Sequence, residues 1–360
     1  MRRFGKIAFL YWQGPGAWRS WVLLISLISA VLLEILVQYL INIWNRDFFN
    51  AIERRDLTVL FTEALAFIPL AVASLVFALI SVWGRQTLHL RWRASLSEYL
   101  YTLWLSEDRI GRMRALPADH RMAEYRIAED GGIATELPIE LGLGLLTAVV
   151  TAITFVGVLW SVGDGLQIVV FERSVTVHGY LVYAVVLYSA IVTGGAMLIG
   201  RNLARITGST KRAEAELRAI GSGLREAAER DDGEPPTEDP KHAVTIALGE
   251  VTARRLALRP QSLRMTAIAH GNLLLASFVA LLLCAPKYIS NAMTLGEVIQ
   301  ASAAFVVVQV AFNWIANSYG RIAEWTSSVT RVSTLLYAFD RLDLERLERV
   351  EETVESAKAD

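Results

Sequence analysis

Trp21 to Trp44 reads WVLLISLISAVLLEILVQYLINIW, an apolar run long enough to cross a bilayer as a helix. Glu34, Gln38 and Asn42 sit inside it at four-residue steps that put them on one helix face. A carboxylate at membrane depth is costly and tends to face a bundle interior or a water-filled cavity. The stripe therefore predicts a lined pathway, and the chain reads as a transporter. The competing structural reading is a hydrogen bond between neighbouring helices.

Working outward, five more runs meet the same length criterion: Ala64 to Gly84, Leu141 to Val162, Gly179 to Ile199, Ala267 to Ala285, and Val298 to Asn317. None of the six contains Lys or Arg. Of the 35 basic residues, 30 lie before the first run, in the two long connections 85–140 and 200–266, and after the last run, against five in the alternate connections. The positive-inside rule then predicts a multi-pass membrane protein with both termini and both long connections in the cytoplasm. Ahead of the first run, IAFLYW is stopped by Gln13, Gly14, Pro15 and Gly16, so a cleavable signal is not expected.

The two long connections are rich in Arg, Glu, Ala and Leu at helical spacing, with breakers near their middles at Met113 to His120 and at Asp231 to Pro240. Each is expected to be a helical hairpin extending the spans beyond the membrane. The fold class that follows is an all-α polytopic membrane protein. A transmembrane domain covers 1–339, and a charged helical tail follows at 340–360.

Composition sets limits on function. A hydrophobic content of 54% with a net charge of -1 offers no general attraction to nucleic acid. The single Cys284 falls in an apolar run, and His89, His120, His178, His242 and His270 are scattered, so no metal or other cofactor is expected. GSTKR at Gly208 to Arg212 lacks the glycine and strand of a phosphate loop, and neither HExxH nor GxSxG occurs. No enzymatic activity is expected, and the roughly 40 residues after the last run are too few for an ordinary folded domain. ATP hydrolysis would come from another chain.

Two further patterns bear on the pathway. Gln309, Asn313 and Asn317 repeat the four-residue spacing in the sixth run, and Arg321 continues that face. Matched amide stripes favour a shared aqueous cavity, with interhelical hydrogen bonding as the alternative. Ahead of the third run, Glu129, Glu136 and Glu140 are spaced to return to nearly one helix face. Such a row is either a solvated surface or, at a cavity mouth, a proton relay.

Particular stretches carry a resemblance: NIWNRDFFNAIERRD from Asn42, LRWRASLSEYLYTLWL from Leu90, RIAED from Arg126, APKYISNAMTLGEVIQASAAFVVVQVAFNWI from Ala285, and RIAEWTSSVTRV from Arg321. In this order they resemble the SbmA/BacA peptide-uptake transporters, and equally the membrane domains of their ATP-fused relatives. The resemblance implies an ABC-exporter-like homodimer with six core helices per subunit, the fourth and fifth reaching across to the partner. It also implies proton-driven uptake of peptides, including antimicrobial ones, into a bacterial cytoplasm. Carried over by motif, the proton-coupling acids would be Glu34, Glu129, Glu136, Glu226 and Glu229, with Glu140 added by the spacing above. The chain departs from the ATP-fused relatives at REAAERDDGE and in the inserted DHRMAEY. Two other classes compete: the membrane subunit of an ATP-driven assembly with a separate ATPase, and a membrane scaffold that transports nothing.

Overall fold

Helices here start and stop where the local chemistry demands it. The computed structural model describes residues 2–14, 16–106, 109–113, 123–170, 173–229 and 239–359. A short helix α1 (Arg2–Leu10) precedes α2 (Ala17–Arg54), which ends at Arg55 in the left-handed region. Asp56 then caps α3 (Leu57–Leu105), its carboxylate accepting from the Thr58 and Val59 amides at 3.0 and 3.2 Å. So tight a turn makes α2 and α3 antiparallel neighbours. The short α4 (Arg109–Met113) and α5 (Ala123–Tyr125) follow, then a π-helical turn (Arg126–Asp130) that runs directly into α6 (Gly131–Val162). The remaining helices are α7 (Tyr180–Ala228), α8 (Pro240–Ile289) and α9 (Leu295–Ala359).

Six of these helices are long and apolar enough to cross a membrane, so the chain is a multi-pass membrane protein. The spans continue without a break into the arms. At 1.5 Å per residue, α7 with 49 residues is about 74 Å long and α9 with 65 residues about 98 Å. The predicted hairpin turns at 114–120 and 231–238 lie outside the described residues. The charged stretch from Asp340 is helical as far as Ala359, a continuation of α9.

One departure from an all-helical reading occurs between α6 and α7. Strands β1 (Leu166–Val170) and β2 (Arg173–Val177) pair antiparallel, with Leu166 opposite Val177 and Val170 opposite Arg173. LQIVV and RSVTV are rich in β-branched residues, and Gly165 and Gly179 flank them at φ +74° and +63°, where most residues are strained.

The chain divides into two compact units. The first comprises 1–158, 291–300 and 310–360 and holds α1 to α5, most of α6 and most of α9. Its largest core cluster joins Leu96 and Leu100 of α3, Ile127 of the π turn, and Val332, Leu335 and Leu336 of α9. The second, 159–290 with 301–309, is built on the α7–α8 pair. There Tyr180 and Tyr188 of α7 donate their hydroxyls to the Leu283 and Asn272 carbonyls of α8 at 3.0 and 3.3 Å. Large apolar side chains such as Leu65, Leu187 and Leu274 remain exposed on the span surfaces, as expected where lipid is the solvent.

Candidate functional site

The polar stripe of α2 sits in the first unit, and its three members have different surroundings. Glu34 and Gln38 are half-buried, and Glu34 takes no hydrogen-bond or ion-pair partner among the described residues. Asn42 is 3% exposed. Its amide donates to the Gln300 carbonyl of α9 at 3.1 Å, while its Oδ1 is buried and unpartnered. Two turns further on, Asn50 accepts from the Gly296 amide at 3.0 Å, so the end of α2 is fastened to the start of α9. The stripe thus grades from a locked amide at one end to an unpaired carboxyl near the middle of the span.

On α9 the amides also diverge. Gln309 is 1% exposed and donates to Asn272 Oδ1 at 3.0 Å within the second unit. Its amide is taken up by that packing, as the hydrogen-bonded alternative expects, and not by a hydrated surface. Asn313 is half-buried and Asn317 exposed. Beyond them Arg321 pairs with Glu140 of α6. Above that pair α6 and α9 meet closely, since a Cβ on Gly144 would lie 2.6 Å from the Trp314 indole nitrogen.

The three acids of α6 and its approach have unlike surroundings. Glu129 and Glu136 are exposed, whereas Glu140 is half-buried with Arg321. The π turn over Arg126–Asp130, with its i to i+5 bonding, breaks the 3.6-residue count between Glu129 and the other two. Glu226 and Glu229 are exposed at the end of α7, where Glu229 pairs with Arg225 at 3.7 Å, the i,i+4 arrangement of a solvated helix.

The same π turn buries a residue that sequence reasoning passed over. Asp130, next to the chosen Glu129, is 2% exposed and receives Arg331 of α9 through Nε at 2.8 Å and Nη2 at 2.6 Å. Arg331 also donates to Ser327 and Ser328, and Arg126 donates to the Arg331 carbonyl at 3.3 Å. Further along, Arg109 grips Asp343 through two bonds of 3.0 and 2.8 Å. RIAED and SSVTRV carried this signal in their charges, but only the extra residue per turn decides which acid points inward.

Among the described residues no group of His, Cys, Asp or Glu is arranged to hold a metal ion. Chemically, the arrangement offers a lone carboxyl at membrane depth beside amides, with the arms held by ion pairs that each have one buried member.

Comparison with known proteins agrees with this architecture. Residues 14–230 match the family described as ABC transporter transmembrane region 2, the SbmA/BacA-type membrane region. The chain is similar to the inner membrane ABC transporter ATP-binding protein YddA of Escherichia coli (strain K12), 28% identical over 90% of this chain and 58% of that one. It is also similar to ABC transporter D family member 2, chloroplastic, of Arabidopsis thaliana, 21% identical over 92% of this chain and 45% of that one. The chain therefore spans about half the length of the curated relatives it matches.

Proposed function

The chain belongs to the ABC transporter transmembrane region 2 family, and from that membership we propose that it carries peptide-like solutes inward across the bacterial inner membrane as a homodimer, driven by the proton gradient. Its termini and long arms face the cytoplasm, as the distribution of basic residues favours. The observation that carries the reading is Glu34: a half-buried carboxyl in a span, without a partner among the described residues, with Gln38 one turn away. Such a group persists at membrane depth where water or substrate reaches it. Its protonation neutralises the site and biases the dimer between outward and inward openings. Gln38, Asn313 and Asn317 line the solute path, while Asn42, bonded to the Gln300 carbonyl, braces it. Glu129, Glu136, Glu140, Glu226 and Glu229 serve as outlying proton-handling candidates along the arms, and the α7–α8 pair reaches across to the partner subunit.

A second reading has its own support. One relative named above, YddA, is an ABC transporter ATP-binding protein, and this chain spans 58% of its length. The chain would then be the membrane part of an ATP-driven transporter, with its arms docked on an ATPase. Vesicles reconstituted with the purified protein separate the two. A pH gradient imposed without ATP accumulates labelled peptide on the first reading and nothing on the second, where accumulation requires ATP and an ATPase partner.

A further inference from the structure

The N-terminal helix covers an apolar hollow in the first unit. Phe4, Ile7 and Ala8 of α1 are buried, and the Trp92 indole of α3 donates to the Ala8 carbonyl at 3.1 Å, fixing the helix in place. Behind it lies a cavity of about 410 Å³, lined in part by Gly5, Phe9, Trp12, Trp92 and Trp325. Two polar groups at its wall are already used. Pro138 has no N–H for the Ala134 carbonyl four residues back, and the Trp325 indole donates to that carbonyl instead, at 3.3 Å. The Thr326 hydroxyl donates to the Ile322 carbonyl at 2.8 Å. A hollow lined almost wholly by apolar side chains is a poor site for ordered water. Its size nevertheless falls in the range of small-molecule pockets, roughly 300–1,000 Å³.

Position and charge say what enters it. Trp92 and Trp325 sit past the ends of their apolar runs, from Gly84 and from Asn317, by about 12 Å each at the helical rise. On the hollow's other side Trp12 packs on Trp21, at the start of the first run, with ring centroids 5.2 Å apart, so the hollow reaches outward from the membrane boundary, where Trp is enriched. The helix begins with Arg2 and Arg3 and carries an exposed Lys6, while Phe9 at the mouth of the hollow is 51% exposed. A basic amphipathic helix with an apolar opening beside it matches an anionic headgroup with its tail.

We propose that this cavity binds one acyl tail of an anionic phospholipid from the cytoplasmic leaflet, with the headgroup against Lys6 of α1. The site lies apart from the Glu34 stripe and does not depend on what is transported, only on the orientation proposed above.

The test uses the full chain in nanodiscs of phosphatidylcholine containing a trace of phosphatidylglycerol with a photoreactive tail, and maps the labelled peptides. Label should concentrate on 4–12 and 322–329, and unlabelled phosphatidylglycerol should displace it about tenfold better than phosphatidylcholine at low salt. Gly5→Leu fills the hollow at a position where an added Cβ meets nothing within 4 Å and should cut this labelling about tenfold. Labelling of the lipid-facing span of α7 should not change. Lys6→Glu should weaken displacement by phosphatidylglycerol alone. Labelling indifferent to Gly5→Leu, equal displacement by both lipids, or displacement by added peptide would each overturn the proposal. No transport is measured, so failure here is distinct from failure of the uptake reading.

Discussion

Asp130 and Glu34 are both carboxyl groups within the first unit, and their surroundings could hardly differ more. Asp130 is enclosed and receives several bonds from Arg331. Glu34, half-buried in a span, takes none among the described residues. A buried charge that is fully paired fixes one arrangement of α6 and α9, because any other arrangement leaves it uncompensated. A carboxyl left without a partner fixes nothing and remains able to change its charge. The contrast separates a clamp from a candidate switch, and it can be broken by mutation.

Removing the clamp should have the largest effect. Asp130→Ala removes the buried acceptor of the Arg331 bonds and should lower stability by about 2 kcal/mol, seen as earlier thermal unfolding in detergent. Asp130→Leu combined with Arg331→Met should recover much of that loss, since apolar replacement of such a pair is often tolerated. Glu34→Gln should do the opposite: unfolding should shift by less than about 0.5 kcal/mol, while peptide uptake falls at least about tenfold. If Glu34→Gln unfolds the protein as Asp130→Ala does, the distinction between the two carboxyls is lost.

Between these extremes lies the Glu140–Arg321 pair, which is partly exposed. A double-mutant cycle on unfolding with alanine at each position should give a coupling of about 0.5–1 kcal/mol, the range of solvent-accessible ion pairs. A coupling well above that would class it with Asp130.

How much of this was legible in the chain follows from which physics each element obeys. The six spans are set by length and hydropathy, and the apolar runs disclosed them. The continuous arms followed from helical composition with breakers held to their middles. The hairpin between α6 and α7 was missed, although LQIVV and RSVTV between Gly165 and Gly179 carry strand-forming residues. At the candidate site, four-residue spacing correctly put Glu34, Gln38 and Asn42 on one helix, but spacing does not report depth of packing. Asn42 and Gln309 are buried and bonded, whereas Asn317 on the same periodic stripe as Gln309 is exposed. The row Glu129, Glu136 and Glu140 presumed an unbroken α-helix, and the π turn moved the burial to Asp130. Nothing in RIAED alone announces that extra residue per turn.

The smallest effect is expected at the base of the hairpin. His178 donates to Asp164 across 2.5 Å, and Lys287 adds a nearby positive charge, so the Asp164 carboxyl is held below the usual carboxylate range. A depressed value means the stabilising contribution is complete above about pH 4 and is lost as pH falls through the lower folded value. Asp164→Asn should speed amide exchange in the hairpin slightly at pH 7 and make no difference in strong acid. Because both side chains are well exposed, the change should be small.

The most direct measurement is proton flux during uptake. Proteoliposomes loaded with a pH-sensitive dye, free of ATP, would be given peptide outside. With Glu34 present, peptide entry should acidify the lumen, and Glu34→Gln should abolish both the acidification and the accumulation. Peptide entry without acidification, or acidification unchanged in Glu34→Gln, would contradict the assignment of Glu34 as the coupling carboxyl.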